Sequence, residues 1–213
     1  METVETLSVY IENGNANEAK TLTQKLLGEN IDPNEIIQKG LIAGLNNLGE
    51  RFARFEAFVP ELMVAGMAAQ ETLKILKPRM AKDPLHKQGP GVVIGTVEGD
   101  VHDVGKNIVG MMLEGGGLTV IDLGVDVSTA KFIDAVKKNK PSILALSALY
   151  SPTRLAMKDV MEALSREGLR DSVKVMVGGA PVDQEFCDHI GADGYASDAP
   201  GALKVAQRLV KVS

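Results

Sequence analysis

From residue 92 onward the chain repeats one grammar: a short apolar run, then a segment with helical spacing. The apolar runs fall at 92–97, 118–123, 142–148, 174–177 and 194–196, and helical patterns occupy 104–113, 129–138, 153–167, 182–190 and 199–212. Strands this short and apolar are buried on both faces. Five of them alternating with helices predict an α/β domain with a parallel, doubly wound sheet. The size suits the flavodoxin-like (Rossmann-like) strand order 2-1-3-4-5. Gly115-Gly116-Gly117 reads as the stop of the first of these helices.

Ahead of this stretch, residues 1–82 read as helix. Segment 4–11 is the first, and Asn15 or Asn17 can cap a second that runs to Leu27. Asp32-Pro33-Asn34-Glu35 is a start signal, with Asp at the cap, Pro in the first turn and Glu three residues on. Ile36, Ile37, Leu41, Leu45 and Leu48 then recur at helical spacing. Pro60 opens a further helix carrying Leu62, Met63, Met67, Leu73 and Leu76, expected to stop before Pro78. About four helices on short turns make a small bundle. Met63, Met67, Met111 and Met112 are expected to fill the core. The link 82–91 is polar and rich in Pro and Gly, which places a domain boundary between 1–90 and 91–213.

Composition narrows the function classes. There are 23 basic and 28 acidic residues, and no basic run is longer than Lys137-Lys138, so no nucleic-acid partner is expected. One cysteine excludes a disulfide framework. No apolar run approaches membrane-spanning length, and METVETLSVY lacks the apolar stretch of a signal peptide; a cytoplasmic protein with no membrane partner is the expectation.

Open parallel sheets bind ligands beyond the carboxyl ends of their strands, near the point where strand order reverses. Three loops should meet there: Glu98-Gly99-Asp100-Val101-His102-Asp103-Val104-Gly105 after the first strand, Ser147-Ala148-Leu149-Tyr150-Ser151-Pro152 after the third, and Gly178-Gly179-Ala180-Pro181 after the fourth. They offer an imidazole, a carboxylate, a hydroxyl and bare backbone. Several familiar sites are excluded. Gly105-Lys106 is followed by Asn107 and preceded by Asp100 where a phosphate loop needs Gly, and no GxGxxG occurs. Ser147 stands where a receiver domain would need its phosphoacceptor Asp, and Cys187, Asp188 and His189 lack a partner pair for zinc.

The combination Asp100-x-His102-x-x-Gly105, then Ser147-x-Leu149 after 41 intervening residues, then Gly178-Gly179 after 28 more, resembles the signature of base-off/His-on cobalamin-binding proteins. GTVEGDVHDVGKNIVGMML, VIDLGVDVS and VMVGGAPV resemble the corrinoid proteins of multi-component methyltransferases for methanol, methylamines and methoxylated aromatics, and the chain is similar to the cobalamin module of methionine synthase. The resemblance spans the whole chain, because those proteins also carry an N-terminal helical bundle. It departs at Tyr150-Ser151-Pro152-Thr153, where many relatives have a Thr-rich stretch.

The resemblance implies a role for each matching residue. His102 is the lower axial ligand of cobalt. Asp100 hydrogen-bonds that imidazole, and Ser147 continues a proton relay. Gly105, with Asp103 and Val104 beside it, lets the displaced nucleotide tail pass, and Leu149, Gly178 and Gly179 line the tail pocket. It implies a cobalamin or related corrinoid, carried as methylcobalamin in one state and as Co(I) in another. Phe58-Val59-Pro60-Glu61-Leu62-Met63-Val64 resembles a capping helix over the methyl-bearing face. The implied activity is methyl carriage, with no catalysis alone, between a substrate-specific methyltransferase and an acceptor-side one that uses tetrahydrofolate or a thiol coenzyme; a reductive activator would be a further partner. Two alternatives stand beside it: a cobalamin-dependent sensor, for which no DNA-binding helix is evident, and the cobalamin subunit of a mutase, which generally lacks the bundle.

The chemistry suits these residues. A ligating histidine donates its second ring nitrogen to an acceptor, which fixes the tautomer and tunes basicity. A broad planar ligand needs backbone without side chains.

Overall fold

The structure, a computed structural model, describes residues 3–80 and 91–211; residues 82–90 of the expected linker lie outside them. The chain divides into two compact units. One gathers Met1–Gly89 with Met111–Leu118, the other Pro90–Gly110 with Thr119–Ser213.

The first unit is helical: α1 Val4–Glu12, α2 Ala16–Gly28, α3 Pro33–Glu35, a π-helical stretch Ile36–Ile42, α4 Ala43–Ala53 and α5 Val59–Met80. Asn15 occupies the cap position of α2, and Pro33 is the first residue of α3. Ile36, Ile37, Leu41, Leu45 and Leu48 are all buried, but their backbone passes through π-helical turns that apolar spacing does not reveal. Small residues let α1 approach closely: a Cβ on Gly44 would lie 2.4 Å from the Ser8 carbonyl oxygen. The pair Arg51–Glu12, 3.1 Å apart, ties α4 to α1.

Two expectations need correction in α5. The helix runs through Pro78 to Met80. A proline in the last turn removes one intrahelical hydrogen bond, which the helix end tolerates better than its middle. Met63 and Met67 are exposed, not core; with Val59 they form an apolar stripe at fourfold spacing. The buried face of α5 is built instead from Leu62, Ala65, Ala68, Ala69, Thr72, Leu73 and Leu76. Met112 is buried as expected.

The second unit is a five-stranded parallel sheet in the order β2-β1-β3-β4-β5, the order the sequence pattern predicts. Its strands are β1 Gly91–Thr96, β2 Thr119–Asp122, β3 Ile143–Ser147, β4 Lys174–Gly178 and β5 Gly194–Ala196. The helices are α6 Val104–Gly115, α7 Thr129–Asn139, α8 Leu155–Arg166, α9 Gln184–Ile190 and α10 Ala199–Lys211. The later residues of α6, from Met111, group with the helical unit. On one side of the sheet, Val93, Leu144, Leu146, Val175 and Val177 pack in one cluster with Phe132, Met157, Val160 and Leu164. Burying side chains of this size contributes roughly 1.5–3 kcal/mol each.

Register places the site. Thr96 pairs with Ser147, Ser147 with Gly178, and Gly178 with Ala196. These four residues form one row at the carboxyl end of the sheet, so the loops after β1, β3 and β4 leave it at the same level.

Candidate functional site

Asp100 organises the site. Its carboxylate is fully buried, yet the His102 side chain two residues on is 54% exposed. Asp100 Oδ1 accepts from His102 Nδ1 at 2.7 Å and from the His102 backbone N–H at 3.0 Å. Asp100 Oδ2 accepts from the N–H groups of Leu149 at 2.7 Å and Tyr150 at 3.0 Å, and from Thr153 Oγ1 at 2.9 Å. Burial pushes this carboxyl's pKa up, but the N–H groups of His102, Leu149 and Tyr150 and the His102 ring outweigh it, holding the group well below the usual carboxylate range. Asp100 therefore stays ionised and acts as a fixed acceptor. It orients the imidazole through Nδ1 and leaves Nε2 as the nitrogen available to a metal.

The signature residues come together at the carboxyl end of the sheet. The Ser147 hydroxyl is not among the groups bonded to Asp100; its carbonyl accepts from Val97 N–H at 3.0 Å. Thr153, in the 3-10 turn Ser151–Arg154 that precedes α8, holds that position. Sequence reasoning missed Thr153 because it assigned the residue to a regular helix. Pro152 beside it was the available signal, since Pro at the start of a helical segment marks a tight first turn.

The carboxyl end of β4 requires glycine. Gly179 has φ +120°, and a Cβ there would lie 1.8 Å from the Ala148 carbonyl oxygen. A Cβ on Gly178 would approach the Ala196 carbonyl oxygen to 2.9 Å. Gly105 is different: a Cβ there meets nothing within 4 Å, so the space beside it is open. Asp103 precedes α6 and accepts from Asn107 Nδ2 at 3.2 Å. Val101, Val104, Leu149 and Tyr150, which flank His102 or bond Asp100 through their backbone, are all large apolar residues left exposed. One further residue went unnoticed in the sequence. Lys106 is buried in the first turn of α6, and its ammonium pairs with Asp122 at the end of β2 and with Asn107 Oδ1.

These residues fit a corrinoid on three observations. An exposed imidazole is backed by a buried carboxylate, apolar side chains are exposed around it, and the space beside Gly105 is open. Fold and site together are those of a corrinoid-binding α/β module. A family model described as "B12 binding domain" matches residues 90–204, and a second with the same description matches residues 3–77. Dimethylamine corrinoid protein 1 of Methanosarcina acetivorans is 44% identical over 187 residues, covering 88% of this chain and 87% of that protein. A cobalamin-binding protein of Desulfitobacterium hafniense superposes with a TM-score of 0.86 at 31% identity, covering 98% of this chain and 99% of the other. A chain of the methanol:cobalamin methyltransferase complex of Methanosarcina barkeri superposes with a TM-score of 0.78 at 30% identity, covering 97% and 79%. The chain belongs to the B12-binding corrinoid protein family, and its cofactor is cobalamin or a related corrinoid. No helix among the described residues is long and apolar enough to cross a membrane.

Proposed function

We propose that this chain is the methyl-carrying subunit of a multi-component methyltransferase, with His102 as the lower axial ligand of cobalt. When bound, the corrinoid supplies a metal centre able to accept a methyl group and give it up again. One partner methyltransferase would load the centre and a second would unload it onto tetrahydrofolate or a thiol coenzyme, with a reductive activator restoring oxidised cobalt. The observation that carries this reading is the 2.7 Å contact between His102 Nδ1 and Asp100 Oδ1, buried on the carboxylate side and exposed on the imidazole side. The likeness to a dimethylamine corrinoid protein and to a chain of a methanol:cobalamin methyltransferase complex supports the carrier role.

The chain's own residues do three things. His102 presents Nε2, with Nδ1–H held on Asp100. The Asp100–His102 pair would hold a proton whenever the imidazole is free of the metal; the Thr153 hydroxyl on Asp100 Oδ2 supports a third place for it in the relay, where Ser147 was expected. Gly105, Gly178 and Gly179, with Asp103, Val104 and Leu149, would hold the nucleotide tail of the corrinoid, and the open space beside Gly105 supports this. The exposed stripe Val59, Met63 and Met67, with Phe58 beside it, supports assigning residues 1–90 as the covering domain and 91–213 as the binding domain.

The test is a visible spectrum after loading with hydroxocobalamin and desalting. The wild type is expected to keep the corrinoid, and His102→Ala to lose it or shift its spectrum. An unchanged spectrum in His102→Ala overturns the axial assignment. Proton uptake on cobalt reduction is expected to be smaller in Asp100→Asn; equal uptake overturns the relay.

A further inference from the structure

The loop that bears His102 is held by more than Asp100. Thr96, the last residue of β1, is fully buried, and its Oγ1 donates to the carbonyl oxygen of His102 itself at 2.8 Å. From the β2–α7 loop, Asp126 Oδ1 accepts from Gly99 N–H at 2.8 Å, and Asp126 N–H donates to the Asp100 carbonyl at 2.9 Å. Three main-chain points in the four residues 99–102 are thereby fixed by two side chains and one amide that lie outside the loop. Asp126 adopts φ +50°, a conformation that Asp, Asn and Gly accept most readily, and Gly99 turns with φ +80°.

We propose that Thr96 and Asp126 are positioning residues for the axial ligand. Asp100 fixes how the imidazole is rotated, but Asp100 and His102 share one loop and would drift together. Thr96 and Asp126 fix where that loop stands. Thr96 is suited to this because β1 lies between β2 and β3 and is hydrogen-bonded on both edges. Thr96 also exchanges backbone bonds with the β2–α7 loop: its N–H donates to Gly124 and its carbonyl accepts from Val127, both at 3.0 Å. Strand end, ligand loop and Asp126 loop therefore form one frame. A metal ligand must sit within about 0.5 Å of its productive place, so a frame that sets backbone position governs the strength of ligation.

The inference rests on His102 as the axial ligand, and the experiment separates the two. Full-length wild type, Thr96→Val, Thr96→Ser, Asp126→Gly and Asp126→Asn are loaded with cob(II)alamin. The electron paramagnetic resonance spectrum at neutral pH then reads nitrogen coupling from the imidazole and the ratio of ligated to unligated cobalt. Thr96→Val removes the hydroxyl at constant shape, and Asp126→Gly removes the acceptor while accepting the positive φ. Both are expected to keep the corrinoid but lower the ligated-to-unligated ratio about tenfold. Thr96→Ser and Asp126→Asn, which keep the hydroxyl and the acceptor, are expected to match wild type. Wild-type ratios in both Thr96→Val and Asp126→Gly overturn the proposal, as do equal losses in all four variants, which would mean general loosening of the fold. Absence of imidazole coupling in wild type overturns the axial assignment itself and this proposal with it.

Discussion

Thr153 Oγ1 donates to Asp100 Oδ2 across 2.9 Å, from a turn 53 residues further along the chain. The same hydroxyl also lies 2.7 Å from the Tyr150 carbonyl, so its proton can serve either acceptor. Thr153→Val is expected to leave folding nearly intact, at a cost of about 1–2 kcal/mol, and to reduce proton uptake on cobalt reduction. Ser147→Ala is expected to leave proton uptake as in wild type. Potentiometric titration of both variants during reduction checks the pair.

Asp100 couples the site to acid stability. Its pKa in the folded chain is lowered, while the unfolded value is near 3.9. The group therefore adds stability that is fully present above the unfolded value and is lost as pH falls toward the folded one. Acid unfolding followed by circular dichroism should show a shallower dependence below about pH 4 in Asp100→Asn than in wild type. At neutral pH Asn cannot accept from every donor now facing the carboxylate, so a loss of roughly 2–4 kcal/mol is expected in denaturant titration.

The glycines separate folding from binding. Gly179→Ala places a Cβ against the Ala148 carbonyl oxygen at an unfavourable φ, and should cost more than about 3 kcal/mol or abolish soluble expression. Gly105→Ala meets no atom of the chain and lies in a helix that Ala favours, so stability should hold or rise by up to about 1 kcal/mol. If the space beside Gly105 takes the nucleotide tail, corrinoid retention should nevertheless fall. Thermal unfolding and retention on desalting, measured on both variants, make the comparison.

Lys106 and Asp122 should respond asymmetrically. Lys106 is buried, whereas the Asp122 side chain is 45% exposed and also accepts from Gly124 N–H. Asp122→Ala leaves a buried ammonium without its carboxylate and should cost about 3 kcal/mol. Lys106→Met replaces the cation with an apolar side chain of similar length, and water can solvate the carboxylate left behind; about 1 kcal/mol is expected. Equal effects in denaturant titration would show that the pair is not buried on the lysine side.

The sheet was legible because its signal is repetitive: five apolar runs alternating with helices admit few windings, and the observed order is the expected one. The Asp100–His102 contact was legible because it is local, two residues within one loop. Thr153 was not, because its role depends on a 3-10 turn in place of α-helix, a difference of one hydrogen-bond step that residue type barely encodes. Met63 and Met67 were misplaced for another reason. α5 has two apolar faces, and hydrophobic spacing alone does not say which faces inward; the alanines Ala65, Ala68 and Ala69 mark the packed side only once a neighbour is known to approach there. Asp126 escaped notice because it acts on main-chain atoms, which carry no sequence identity.

The five donors on Asp100 have a thermodynamic corollary. They come from the loop after β1, the stretch after β3 and the turn before α8, and every one of them belongs to the chain itself. Orienting the histidine therefore draws on no hydrogen bond from the ligand. On the proposed axial role of His102, the chain would offer its imidazole as a rigid arm, and a ligand that meets a pre-set arm loses less free energy to ordering than one that must build it.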